Sequence, residues 1–268
     1  PGALRPPVLW SPSFAATATA RASSVAAQAM RRQSATLAAL RARSHIEAGV
    51  WALPGGDHFY ELTLQYQLGE AISPRDAHRR ALAVCRRLQR EADALLRAQG
   101  LMQGSVAERL RAFAVDERQL YPDSAEGKAH AVADMNAALA RARPLLRNTL
   151  DGADTPAEVR LVPPEAETGG MAGRREGGVY HIDFGAIRSR PRWTLATVAY
   201  HELVPGHILQ ARFEREASPP PLQTRYASGY SEGWATYAER LADEAGAYAD
   251  DPASRIGYLQ WMLFRFGR

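Results

Sequence analysis

The sequence predicts a mainly α-helical protein that carries a small β insertion. Alanine and arginine are abundant while aromatic residues make up only 8% of the chain, a composition that favours helices. Apolar residues recur at helical spacing, and several of these stretches follow a capping residue. Two short β-like runs occur after residue 155, and residues 57–69 are predicted to form either a short helix or an extended stretch. We therefore expect a single mostly helical domain across residues 1–268.

The first part of the chain begins with a proline-rich stretch, so residues 1–22 are predicted to be an irregular segment that precedes a helix over 23–48. The clearest helix start follows at Ser73, because Pro74 suits the first helical position and Asp76 stands where a capping-box carboxylate would. The apolar face of this helix is predicted to consist of Leu82, Cys85, Leu88, Ala92 and Leu95.

Two further helices are predicted before the β insertion. Ser105 with Glu108 repeats the capping-box pattern at the start of the first. The second is expected over 124–143, where Pro144 should disturb it because proline lacks the backbone amide that a helix uses.

The second part of the chain combines two β-like pieces with several helices. The pieces at 159–162 and 179–184 flank a glycine-rich loop. Helical patterning returns over 193–215 and again near 231–248 and 252–266. No internal repeat interrupts this order.

Charge and cysteine content exclude some classes of protein. The formal net charge is +4, and 32 of the 33 basic residues are arginines interleaved with acidic residues rather than clustered, so no nucleic-acid partner is expected. No run reaches the roughly 18 apolar residues of a membrane span. The chain begins at Pro1 without a signal-peptide pattern, which is compatible with a soluble protein of the cytoplasm, or of the periplasm or exterior after processing. A single cysteine allows no internal disulfide. The sequence does not indicate an oligomeric state.

The stretch VAYHELVPGHILQ, residues 198–210, contains two histidines that could bind one metal ion. His201 and His207 are six residues apart, so on a straight helix their side chains would point about 240° apart. Pro205 removes one helical hydrogen bond, and Gly206 permits unusual backbone angles. We therefore expect a kink that turns the second imidazole toward the first. The alternative is a pair of unrelated histidines with local hydrogen bonds.

A third ligand would have to come from another element. Glu232 begins a helical stretch 25 residues after His207, and Glu239 and Asp243 follow at helical spacing. Two histidines and a carboxylate, with water in the remaining position, form a known catalytic zinc set. Glu202 could then take a proton from that water. The plain alternative for Glu232 is a favourable charge in the first turn of a helix.

These residues resemble a bacterial family, the domain of unknown function 885. The resemblance is carried by YHELVPGHILQ and SEGWATYAERLADEAGAYADDP and extends from about Gly55 onward. Members are regarded as predicted zinc metallopeptidases with a multi-helix, gluzincin-like architecture. The resemblance implies one zinc ion held by His201, His207 and Glu232, with Glu202 as the general base. It also implies a metal-site half at 155–268.

The chain departs from the family pattern at two places. Members more often carry a second histidine where Ile208 follows His207. Members also continue past the equivalent of YLQWMLFR into further helices, so we expect an architecture that is incomplete at the C-terminus. Substrate contacts would then be incomplete or come from another copy.

Several polar residues near the motifs are candidates for contacts to an oxyanion or a substrate: Tyr180, His181, Tyr226 and Tyr230. The segment GGVYHIDF is predicted to be an edge strand that holds an extended substrate. Glu239 could orient a ligand histidine. Each tyrosine could instead simply pack its ring and form local hydrogen bonds.

The leading hypothesis is a zinc-dependent hydrolase, most plausibly a metallopeptidase that acts on peptides or peptide-like substrates. A non-haem iron enzyme could use the same ligand set, although Glu202 favours hydrolysis. A helical binding domain without catalytic activity is the third hypothesis.

Overall fold

Helices form most of the computed structural model, which describes residues 12–44, 49–169, 173–218, 220 and 228–268. The described α-helices are α1 (Pro12–Arg43), α2 (Gly56–Leu68), α3 (Pro74–Ala98), α4 (Val106–Ala114), α5 (Ala125–Leu146), α6 (Leu195–Glu202), α7 (His207–Ala217), α8 (Ser228–Glu244) and α9 (Pro252–Gly267). The described strands are β1 (Glu158–Leu161), β2 (Gly173–Glu176) and β3 (Val179–Ile182). The prediction of a mainly α protein with a small β insertion is confirmed. None of the described helices is both long and apolar enough to cross a bilayer.

The three strands form one sheet in the order β1, β3, β2. Strand β3 runs parallel to β1 and antiparallel to β2. Gly177, with φ of +58°, allows the tight turn between the antiparallel pair. The edge-strand prediction for GGVYHIDF is therefore wrong, because β3 is the central strand and both of its edges are paired. The unpredicted strand β2 forms the exposed edge, within a stretch interpreted as a glycine-rich loop.

The chain divides into two compact units, Pro1–Phe59 and Tyr60–Arg268. In the first unit, α1 already begins at Pro12, so the prediction of an irregular segment over 1–22 is wrong for residues 12–22. Proline fits the first turn of a helix, and the alanine-rich sequence that follows continues it. Residues 45–48, expected at the end of this helix, lie outside the described residues. One domain across 1–268 stays a prediction.

In the second unit the predicted capping residues begin their helices. The Ser73 hydroxyl accepts a hydrogen bond from the Asp76 amide at 3.1 Å at the start of α3. At the start of α4, the Ser105 amide donates to Glu108 at 2.8 Å, and the Glu108 amide donates to the Ser105 hydroxyl at 3.3 Å. Each bond satisfies an amide that the first helical turn leaves without a partner.

Two details of the helices differ from prediction. Leu82 is 41% exposed because the buried face of α3 begins only at Leu88 and continues through Ala92 and Leu96. Helix α5 passes through Pro144 and ends at Leu146. The proline removes the hydrogen bond that an amide at this position would donate to the carbonyl group of Ala140, and the helix ends two residues later.

Helix α6 lies in the main core, between the sheet and the helices around it. Six of its eight residues are buried: Leu195, Ala196, Thr197, Ala199, Tyr200 and His201. Apolar residues of the sheet, including Val159 and Ile182, belong to the same core cluster as Leu195 and Ala199. Burial on several sides holds α6 in place, so its C-terminal end can position a site.

Candidate metal centre

The two histidines of the motif lie on separate helices. Helix α6 ends at Glu202, a turn follows, and α7 begins at His207. The Val204–Pro205 peptide bond in this turn is cis. The expected kink is therefore a complete break of the helix, and it brings the rings of His201 and His207 to 4.9 Å between centroids at an interplanar angle of 87°.

Gly206 allows this turn because its backbone lies against the end of α6. A Cβ atom on this residue would lie 1.8 Å from the His201 carbonyl oxygen and 2.5 Å from the Tyr200 carbonyl oxygen. Its φ of −77° is ordinary, so the requirement for glycine comes from close approach of backbone to backbone.

Glu232 completes a cluster of three potential metal ligands from the first turns of α8. Its Oε2 lies 3.4 Å from Nε2 of His201, and its Oε1 lies 3.6 Å from Nε2 of His207. One ligand atom from each of the three residues lies within 4.8 Å of the other two. The histidines are buried while the carboxylate is 60% exposed, so the cluster opens toward solvent on one side.

The chemistry of these donors fits a zinc ion. Bonds of 2.0–2.2 Å in a tetrahedral arrangement put two ligand atoms about 3.4 Å apart, close to both nitrogen–oxygen distances here. Nε2 of His207 is buried and has no hydrogen-bond partner among the described residues. Burial lowers the pKa of His207, which favours the neutral imidazole that binds metals.

The Nδ1 atom of His201 faces a fully buried carboxylate. Glu239 Oε1 lies 2.6 Å from this nitrogen. Arg265 forms two contacts of 2.7 Å with the same carboxylate and compensates its charge in the interior. The short contact with the carboxylate favours a proton on Nδ1 that is donated to Glu239, and Nη2 of Arg265 lies 3.2 Å from the same nitrogen. In this tautomer the lone pair of Nε2 faces Glu232. Glu239 thus contacts His201, and its role in orienting a metal ligand stays a prediction.

The second histidine is oriented in the same way by an amide. Gln210 Oε1 lies 3.1 Å from Nδ1 of His207, and the Gln210 amide nitrogen donates to Glu214 at 2.8 Å. The amide therefore presents its oxygen to the ring, and the ring proton lies on Nδ1. Both histidines thus direct an unprotonated Nε2 toward one point.

We predict that Glu239→Gln weakens zinc binding by about 10- to 100-fold, because the ligand histidine loses its charged partner. Competition with a chromophoric chelator measures the affinity. Glu244→Gln is the matched control, since this carboxylate is on the same helix and pairs with Arg240 at the surface. Wild-type affinity in a folded Glu239→Gln protein would contradict the assigned role.

Trp234 ties the helix of the carboxylate to the turn between the histidines. Its indole N–H lies 3.1 Å from the carbonyl oxygen of Pro205 and 3.2 Å from that of Gly206. The ring also packs against the main core. Trp234 therefore packs in the core and also fixes where the helix of Glu232 lies relative to His207.

Glu202, the expected general base, forms an ion pair with Arg175 of the exposed strand β2. Its carboxylate is 17% exposed and lies at the end of α6, next in sequence to His201. The ion pair joins the edge of the sheet to the candidate site. No feature of the glycine-rich sequence around Arg175 indicated this contact.

The other residues predicted to contact an oxyanion or a substrate lie at different distances and directions from the candidate site. Tyr180 lines a cavity together with His201 and Glu202. His181, the next residue of β3, points to the opposite face of the sheet because side chains alternate along a strand. Tyr230 is exposed and lies about 200° around α8 from Glu232. Tyr226 lies outside the described residues.

Prediction missed three residues that support the site: Arg175, Arg265 and Gln210. The last could have been found, because it follows His207 by three residues on the same helix and so shares its face. The two arginines meet the site only through tertiary packing of β2 and α9. Their local sequences resemble many other arginine-containing stretches of this chain.

Comparison of the sequence with family profiles gives a match to a family described as "Bacterial protein of unknown function (DUF885)", over residues 6–268. The chain belongs to the DUF885 family. A comparison with curated proteins finds no match.

Solved structures show how this DUF885 chain relates to longer proteins. "The crystal structure of the putative lipoprotein from Colwellia psychrerythraea" is 28% identical with a TM-score of 0.81, and the match covers 95% of this chain and 45% of that chain. A second structure, described as "a putative lipoprotein of unknown function from Shewanella oneidensis", is 17% identical with a TM-score of 0.65, covering 94% and 49%. The second likeness concerns the fold alone. The chain spans about half the length of each.

Proposed function

We propose that this protein is a zinc-dependent hydrolase, and specifically a metallopeptidase of gluzincin type. The observation that carries the proposal is the convergence of His201, His207 and Glu232 within 4.8 Å. The buried Nε2 of His207 supports it, because this atom has no hydrogen-bond partner in the described part of the chain, and a buried acceptor without a partner is costly unless something binds there. A glutamate adjacent to one ligand supports hydrolysis in particular.

Each residue of the site would have a distinct role. His201, His207 and Glu232 would hold the ion, which when bound supplies an acidified water molecule and a polarised substrate carbonyl. Glu202 would accept a proton from water and deliver it to the leaving amine. Tyr180 would remain protonated, because burial and then the charge of Glu202 raise its pKa to about 12.

A non-haem iron enzyme would use the same two histidines and one carboxylate. Glu202 argues for the hydrolase, because an oxygen-using enzyme needs no proton acceptor beside a ligand. Elemental analysis after anaerobic purification separates the two hypotheses, since it reports which metal the protein carries.

The direct test is the metal content of wild type and Glu232→Ala. We expect about one zinc per chain in wild type and a large loss of zinc in the variant, because a carboxylate contributes one of only three protein ligands. The Glu232 side chain is 60% exposed, so its removal should leave the protein folded. Glu216→Ala, which removes an exposed carboxylate of α7 paired with Arg212, is the matched control.

Peptide cleavage is measured on the same preparations by mass spectrometry of a mixed peptide substrate. Zinc-loaded wild type should give products, and zinc-depleted protein should not. Full zinc occupancy in a folded Glu232→Ala protein would overturn the ligand assignment. A zinc-loaded wild type that cleaves no peptide would overturn the peptidase.

A further inference from the structure

A cavity of about 660 Å³ lies between α3, α8 and α9. Glu232 is one of its lining residues, so the cavity adjoins the candidate metal centre. Its volume falls within the range of about 300–1,000 Å³ that is usual for ligand sites. It can hold a few residues of an extended peptide, and it is too small for a folded partner.

Much of the cavity wall is apolar. Leu88 of α3 and Met262 of α9 line it and are buried in a core cluster that joins these helices. Three aromatic residues of the wall stay exposed to solvent: Tyr237, Phe264 and Phe266. Covering such surface with an apolar ligand removes it from water, which is favourable.

The charged groups of the wall are mostly cations. Glu232 is the one carboxylate among the lining residues in the described part of the chain. The guanidinium groups come from Arg87, Arg240, Arg265 and Arg268. A ligand in the cavity therefore meets more positive than negative side chains, and this favours a ligand that carries a carboxylate.

Two of these arginines form ion pairs that a ligand can replace. Arg240 lies 2.7 Å from Glu244, and Arg87 lies 3.8 Å from a glutamate one turn further along α3. Neither glutamate lines the cavity. Exposed pairs of this kind contribute little and are screened by salt, so either guanidinium can turn to a ligand carboxylate at small cost. Arg265 instead keeps its contact with the buried Glu239.

We propose that this cavity binds a peptide substrate that is both apolar and acidic. The proposal rests on the proposed function, and it names the substrate class of the same site. Large apolar side chains of the peptide would cover Phe264 and Phe266, and a neighbouring carboxylate would pair with Arg240 or Arg87. A basic peptide would be repelled by the guanidinium groups, and a small polar one would leave the aromatic rings in water.

The test uses three five-residue peptides that are acetylated and amidated at their ends. The first has leucine, phenylalanine and leucine between two glutamates. The second carries glutamine in place of each glutamate, and the third carries alanine in place of each apolar residue. Calorimetric titration of the full chain in the presence of a chelator measures binding without cleavage. We expect the first peptide to bind at least about tenfold more tightly than the third and about two- to fivefold more tightly than the second.

Phe264→Ala tests the apolar contact. It should weaken binding of the first peptide by about three- to tenfold and leave the affinity for the third nearly unchanged, because alanine side chains cover little of the ring. Tyr66→Ala is the matched control, since this exposed aromatic residue of α2 does not line the cavity.

Arg240→Gln tests the charged contact. It should lower the affinity ratio of the first peptide to the second toward one, and added salt should lower the wild-type ratio in the same way. Arg147→Gln is the matched control, because this arginine forms a similarly exposed pair with Asp154 away from the cavity.

Thermal unfolding shows whether the variants fold. Phe264 is 51% exposed, so its removal should leave the protein folded, and Phe266→Ala tests the same contact if it does not. Equal affinities of wild type for the three peptides, or preferences that the folded variants leave unchanged, would overturn the proposal. A dimer that Phe264→Ala separates, with no peptide bound, would assign the cavity to a second copy of the chain and also overturn it.

Zinc content and cleavage by the same preparations without chelator separate the two proposals. A preference for the first peptide in a protein that holds no zinc would keep the peptide cavity and remove the proposed hydrolase. Bound zinc with peptide cleavage, but with no preference among the three peptides, would keep the hydrolase and remove the peptide cavity.

Discussion

Replacing Glu202 with glutamine is expected to lower peptide hydrolysis by about 10²- to 10⁴-fold while zinc content stays near one per chain. Glutamine has nearly the same shape but cannot accept the proton of the attacking water. The carboxylate is not one of the three clustered ligands, so the ion should remain bound. Initial rates on a fixed peptide mixture, together with elemental analysis, measure both quantities.

The ion pair with Arg175 calls for a second variant. Arg175→Gln breaks the same pair and keeps the carboxylate, so its rate should exceed that of Glu202→Gln by a wide margin. Similar losses in the two variants would show that the ion pair, rather than proton transfer, is what activity requires. Undiminished hydrolysis in Glu202→Gln would remove this residue from the mechanism.

Gly206→Ala is expected to lower the free energy of unfolding by at least about 2 kcal/mol and to abolish zinc binding. The new methyl group would lie 1.8 Å from the carbonyl oxygen of His201, and a backbone atom cannot rotate away as a side chain can. The turn would have to shift, and His207 would move with it. Urea denaturation and metal analysis measure the two effects.

Gly233→Ala provides the matched control on α8. Among the described residues, no atom other than those of its chain neighbours and its own helix backbone lies within 4 Å of the Cβ position there, and alanine is favoured over glycine within a helix by about 0.5–1 kcal/mol. Stability should therefore rise slightly in this variant. Equal stability of Gly206→Ala and wild type would show that the turn tolerates a side chain.

The centre of the candidate site was predictable from sequence because the spacing of its two histidines does not fit one straight helix. A spacing of six residues from His201 to His207 does not bring two ligands to one face of a helix, and Pro205 with Gly206 lies between them, where the helix must change direction. The structure achieves this change by ending one helix and starting another. Helix starts at capping residues such as Ser73 could also be predicted from the sequence, because the hydrogen-bonded atoms lie within one helical turn of each other along the chain.

The surroundings of the site were not predictable, because long-range packing brings them together. Arg265 meets Glu239 across 26 residues, and Arg175 meets Glu202 across 27. Strand β2 was missed because glycine and arginine have little preference for strands, and pairing with β3 determines its conformation.

The indole of Trp234 has a consequence for how the candidate site would bind the proposed zinc ion. Because one ring holds α8 against the carbonyl groups that precede His207, the donor atoms are already arranged before any metal arrives. Little conformational entropy is then lost on loading, so uptake should be quick and the apoprotein should keep the same backbone. Zinc would bind to ligands that are already in position, and the protein would not have to fold around the ion.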